Sequence, residues 1–163
     1  MAFSRAALWL SLIIPGSLLG GALISQYVFG LYPCEMCLWQ RWPHWAAFFF
    51  ALGGIIAGQR NWSGLLGPAS FIFLAAIGIL ISGLIGGFHA GVEYGWWEGI
   101  TACATTVPAG GDMLDSIMNA PLVRCDVAPW SLFGISLAGY NFLLSVGGAI
   151  LILVLMAMGR KDV

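Results

Sequence analysis

Cys34 and Cys37 stand in the stretch Pro33-Cys34-Glu35-Met36-Cys37-Leu38-Trp39-Gln40-Arg41, where an apolar run begins. Read as the start of a helix, Cys34, Cys37 and Arg41 follow at i, i+3 and i+7 and share one face. Two thiols at this spacing close into a disulfide or share a metal. A cation one turn after Cys37, and the positive end of the helix dipole, would both stabilise negative charge on its sulfur. That is an arrangement for redox chemistry at a membrane surface.

Two more cysteines, Cys103 and Cys125, lie far along the chain. Four cysteines in two pairs admit three explanations. A zinc site would want four ligands at metal spacing, which 34–37 supplies and 103–125 does not. A structural disulfide would suit 103–125, where it would staple a loose loop, but a bond across 34–37 closes too small a loop to add much. A dithiol relay, in which the pairs exchange with each other and with outside partners, fits spacing and topology better than zinc. Arg41 could snorkel to lipid headgroups, yet intramembrane charge is costly and usually employed, which favours a functional role. His89, at the end of the third apolar run, could equally cap a helix or serve a cofactor.

The elements that must position these residues belong in a bilayer. Of 163 residues, 60% are hydrophobic and 8% are charged, where a soluble domain has about a quarter charged. Nothing charged lies between Arg5 and Glu35, between Arg41 and Arg60, between Arg60 and Glu93, or between Asp126 and Arg160. These stretches predict an all-α membrane protein, a bundle of four transmembrane helices near 7–29, 37–58, 65–88 and 132–157. Net charge is −1, which leaves no basic footprint for nucleic acid. With four spans the termini share a side with Arg5, Arg60, Arg160 and Lys161, and six of the seven acids fall opposite. The positive-inside rule then puts both termini in the cytoplasm and all four cysteines outside, in a bacterium the periplasm, where disulfides persist. The run after Arg5 is too long for a cleaved signal and reads as a retained first span.

Gly16 and Gly20, Gly54 and Gly58, and Gly83 and Gly87 are spaced for close helix approach. Pro15 is placed to kink the first helix. Trp39, Trp42, Trp45, Trp96, Trp97 and Trp130 are expected to mark the outer interface. The one long connection, 89–131, is expected to lie in the periplasm. Asp112 could cap a short surface helix in it whose Met113, Leu114, Ile117 and Met118 form an apolar stripe.

Pro-Cys-x-x-Cys-x-x-Gln-Arg opening the second of four spans, with a second cysteine pair in the next outer loop, resembles the DsbB family. The resemblance runs from the first span to Asn141. Its most specific parts are 33–41, Gly87-Phe88-His89, and Cys125 followed by Trp130 and Phe133-Gly134. DsbB proteins are inner-membrane thiol:quinone oxidoreductases that reoxidise the periplasmic thioredoxin-fold donor DsbA and pass the electrons to quinone.

Carried onto this chain, the resemblance implies that a reduced DsbA-type thiolate attacks Cys103, with Cys125 as its former partner. The Cys34–Cys37 disulfide would then regenerate that pair, and Cys37 would give its electrons to ubiquinone or menaquinone. Arg41 would hold the quinone and stabilise negative charge, with His89 near the same ring. A strong oxidant is needed: DsbA-type donors sit near −120 mV and ordinary dithiol proteins at about −200 to −270 mV, a gap of roughly 4–7 kcal/mol for two electrons. No Gly-x-Gly-x-x-Gly after a strand indicates a nicotinamide site. The rival expectations are a relative serving a dedicated different thiol partner, and a structural or zinc-binding membrane protein.

Overall fold

In the computed structural model, residues 2–100, 104–105 and 122–159 are described. Four long helices dominate: α1 (Ala2–Tyr27), α2 (Glu35–Gln59), α3 (Pro68–Glu93) and α4 (Leu137–Gly159). α1 packs on α2, α2 on α3, α3 on α4 and α4 back on α1, closing an up-and-down ring. α1 and α2 run through Pro15 and Pro43 as continuous helices. Three of the four, α1, α3 and α4, are long and apolar enough to cross a membrane. α2 matches them in length, but Gln40, Arg41, Pro43 and His44 in its first half lower its apolar content.

The end of the bundle away from the cysteines is held by small side chains. Ala7, Ala47, Ala51, Ala75, Ala76 and Ala149 are buried with Ile72, Ile79 and Ile152. Small residues let helices approach closely where lipid offers no hydrophobic drive to pack them. The spaced glycines divide on this point. A Cβ at Gly83 would meet Ser145 and Val146 at 2.9 Å, and one at Gly87 would meet Phe142 at 2.7 Å, so α3 and α4 touch there. Gly54 faces Leu8 and Phe71, whereas Gly20 has no close neighbour.

Two helices differ in their bounds from the sequence reading. α3 begins at Pro68, a favoured first helical residue, after the short 3₁₀ turn Gly64–Leu66, and it does not stop at 88. No stop signal comes before Gly95 (φ +71), where Gly95 N–H bonds Val92 O and Trp96 N–H bonds Gly91 O, a Schellman end. His89 and Glu93 therefore sit inside the last turns of α3. The fourth helix begins at Leu137, because 131–136 is a hairpin of β3 (Ser131–Leu132) and β4 (Ile135–Ser136), here numbered after the short antiparallel pair β1 (Ala104–Thr105) and β2 (Leu122–Val123). Its two-residue turn, Phe133-Gly134, has φ of +51 and +77, the twist that suits a tight hairpin. Tyr94 ties the hairpin to α3: its hydroxyl donates to Gly134 O and accepts from Ser136 N–H, both at 3.1 Å. Cys103 and the expected surface helix at 112–118 lie outside the described residues.

Candidate functional site

Cys34 is the N-cap of α2. Its Sγ accepts the Cys37 backbone N–H at 3.2 Å, one of the donors a helix start leaves unpaired. The Cys34 and Cys37 sulfurs are 2.7 Å apart, inside non-bonded contact and beyond the ~2.05 Å of a disulfide bond. Contact with Cys37 and burial push the Cys34 thiol up to about 12, with His89 pulling the other way. Cys34 is therefore a protonated thiol at neutral pH when the pair is reduced.

Cys125 is also buried, packed with Cys34, Met36 and Val92. The ligand atoms of Cys34, His89 and Cys125 all lie within 4.8 Å of one another. The segment after β2 thus folds back onto the start of α2, a juxtaposition invisible in the spacing of 34, 89 and 125. Beside Cys125, Arg124 and Asp126 pair with each other on the surface, and the guanidinium holds the Asp126 carboxyl below its usual range. The two charges largely cancel next to the sulfur.

His89 is fully buried. Its Nε2 is 3.6 Å from Cys34 Sγ and 3.7 Å from Glu93 Oε1, one helical turn on. Its Nδ1 is 2.9 Å from the Gln40 side-chain nitrogen. Gln40 opens a polar network through the centre of the bundle. Its Nε2 donates to Met36 O at 3.1 Å, and its Oε1 accepts from Asn141 Nδ2 at 2.8 Å. Asn141 Nδ2 also reaches Ser82 O at 3.2 Å, and Asn141 Oδ1 accepts from Ser145 Oγ at 2.8 Å and lies 2.9 Å from His44 Nε2. Ser82 Oγ donates to Gln40 O at 2.8 Å. Gly86 makes room for this, since a Cβ there would stand 2.9 Å from Asn141 Nδ2.

Arg41 points towards α1: its guanidinium donates to Gln26 Oε1 at 2.5 Å and to Ala22 O at 3.3 Å. Cys37, Arg41, His44 and His89 all line one pocket of about 220 Å³, walled by α1 and closed by the Leu137–Asn141 end of α4. Its remaining walls are mostly apolar, including Leu18, Leu19, Leu31 and Ala138. A mostly apolar lining with a few convergent polar groups is the make-up of a small-molecule site.

Of the residues singled out from sequence, Cys34, Cys37, Cys125, Arg41 and His89 meet at this end of the bundle; Cys103 is outside the described residues. Sequence reasoning missed Glu93, taken as an outer-loop acid and found buried beside His89. It also missed Gln40, His44, Ser82, Asn141 and Ser145. A signal existed for two of them: Gln40 and His44 continue the Cys37 face at i+3 and i+7.

The family model described as Disulfide bond formation protein DsbB matches residues 4–155. An uncharacterized protein of Rickettsia prowazekii is 27% identical over 133 residues, covering 78% of this chain and 73% of its own length. A Disulfide bond formation protein B of Chromohalobacter salexigens is 30% identical over 149 residues, covering 90% and 76%. One of Aromatoleum aromaticum is 28% identical over 171 residues, covering 98% and 96%. No solved structure matches.

Proposed function

The chain belongs to the DsbB family of disulfide bond formation proteins, and from that premise we propose that it is a thiol:quinone oxidoreductase of a bacterial inner membrane. It reoxidises a periplasmic DsbA-type, thioredoxin-fold donor and passes two electrons through its cysteine pairs to ubiquinone or menaquinone. The observation that carries this reading is that Cys37 lines an apolar pocket with Arg41 and His89 while Cys34, beside it, faces Cys125. One sulfur of the 34–37 pair is thus turned to a cavity open to a lipid-soluble ring, and the other to the second pair.

The steps follow from thiolate exchange. A reduced donor attacks Cys103 and frees the Cys125 sulfur. Cys125 attacks Cys34, whose sulfur lies within 4.8 Å of it, forming a Cys34–Cys125 bond and releasing Cys37 as a thiolate at the pocket wall. The donor's second thiolate displaces Cys103, leaving the donor oxidised, and the freed Cys103 attacks Cys125, restoring its pair and releasing Cys34. A quinone, when bound, supplies the two-electron sink that reforms Cys34–Cys37. Arg41 contributes a fixed positive charge at the pocket edge, held by Gln26 and Ala22 so that it needs no rearrangement to act.

In this reading α2 is a fourth span, the termini are cytoplasmic and the cysteines periplasmic. Its polar first half is tolerated in a bilayer because Gln40 and His44 face the bundle interior and find partners there, as intramembrane polar groups must. A second reading, zinc held in a non-enzymatic protein, draws on the closeness of Cys34, His89 and Cys125. Stoichiometric zinc in purified protein with its thiols reduced would favour it.

Replacing Cys34 or Cys37 by serine abolishes quinone reduction under the relay reading; undiminished turnover in either variant would sink it. A Cys125→Ser variant leaves Cys103 as a free thiol, whose thiolate is expected to attack the disulfide of an oxidised donor and be trapped as a mixed disulfide, the donor's second sulfur leaving as a thiol.

A further inference from the structure

We propose that Gln40 is a positioning residue that holds His89 in its Nε2–H tautomer and so aims a hydrogen-bond donor at the Cys34 sulfur. The geometry fixes this without any freedom in the amide orientations. Ser82 O and Met36 O are backbone carbonyls and can only accept, so the Asn141 atom 3.2 Å from the first and the Gln40 atom 3.1 Å from the second must both be amide nitrogens. Asn141 Nδ2 then donates to Gln40 Oε1, which agrees with the same assignment from the other side. Flipping either amide would set oxygen against oxygen at a carbonyl and again between the two side chains.

With its nitrogen so placed, Gln40 presents an N–H to His89 Nδ1 at 2.9 Å. Nδ1 must accept, and a neutral imidazole then carries its proton on Nε2. Nε2 is the atom facing Cys34 Sγ and Glu93 Oε1. Asn141, itself braced by Ser145 and Ser82, is the anchor of the chain, so helix α4 sets the proton position on a histidine of α3 through a side chain of α2.

The consequence rests on the relay reading given above. When Cys103 attacks Cys125, a Cys103–Cys125 bond forms, the Cys34–Cys125 bond breaks, and the negative charge of the attacking sulfur passes to Cys34; no electrons are gained or lost overall. Cys34 is a poor leaving sulfur in its buried place, and a donor aimed at it offsets that. The same tautomer turns a proton, and no lone pair, towards Cys34 and Cys125. Three potential metal ligands thus meet in a cluster whose histidine is set as a donor to sulfur.

The chain has only two histidines, which makes the proton directly observable. Full-length protein with ¹⁵N-labelled histidine, in detergent and fully reduced, would be followed by ring ¹⁵N–¹H correlation spectra, with signals absent from a His89→Asn sample assigned to His89. The expected spectrum has His89 protonated at Nε2 with an unprotonated Nδ1. In Gln40→Met, which removes the N–H that faces Nδ1, the tautomer is no longer held and part of the population is expected to carry its ring proton on Nδ1. A wild-type His89 protonated at Nδ1 would overturn the proposal even if the variant failed to fold, as would a folded Gln40→Met protein with an unchanged ring spectrum. Neither readout involves a quinone or a thiol partner, so a failure of the relay reading would show in turnover and leave these spectra unchanged.

Discussion

Cys34 and Cys37 differ although they are three residues apart on one helix start. Cys34 caps the helix and is walled in by Met36, Val92 and Cys125, whereas Cys37 reaches the pocket shared with Arg41. Because the Cys34 thiol is raised from an ordinary 9.0 to about 12, its thiolate is scarce at neutral pH and grows as pH rises towards that value. Alkylation of Cys34 in the reduced protein, read by peptide mass spectrometry, is therefore expected to keep accelerating above pH 9. A plateau near 9 would contradict the burial and contact that raise it. Arg41→Ala is expected to raise the apparent KM for quinone severalfold with the fold intact, and an unaltered quinone dependence would return Arg41 to bracing α1 against α2. The reactive types were legible in the sequence because Cys34, Cys37 and Arg41 fall on one helical face. Glu93 was not, since an acid just past an apolar run is ordinarily at the surface, and only the delayed stop at Gly95 draws it inside.

At the scale of elements, α2, α3 and α4 are joined at their cysteine end by neutral polar side chains. Asn141→Leu would leave Gln40 Oε1 and Ser82 O without that donor in a buried site, at a cost of about 1–3 kcal/mol for an unsatisfied group. Gly86→Ala would press a methyl group against Asn141 Nδ2, Ala138 O and Gln40 Oε1, and overpacking of this kind costs typically 1–3 kcal/mol. Both variants are expected to lose thermal stability in detergent; a Gly86→Ala protein as stable as wild type would mean that α3 and α4 are free to part there. The number, order and approximate reach of the helices could be read from the gaps between charges. The network could not, because a search for charge passes over Gln40, His44, Ser82, Asn141 and Ser145, which are uncharged. The hairpin before α4 was missed for a related reason: Ser131–Ser136 is apolar enough to read as helix, and only the positive φ of Phe133 and Gly134 marks the turn.

For the whole molecule, the four-helix ring places its chemistry at one end and its small-residue packing at the other. An apolar pocket between α1, α2 and α4 sits beside one cysteine of the first pair, and the segment after β2 brings Cys125 to the other. Under the proposed relay, electrons arriving from the aqueous side and leaving into the bilayer would cross a few ångströms of sulfur. The direct measurement uses purified protein, a reduced DsbA-type dithiol protein and a short-chain ubiquinone, following the absorbance of the oxidised quinone. The relay predicts loss of that absorbance, catalytic in the protein and dependent on both cysteine pairs. An active, folded preparation that leaves the quinone oxidised would contradict it.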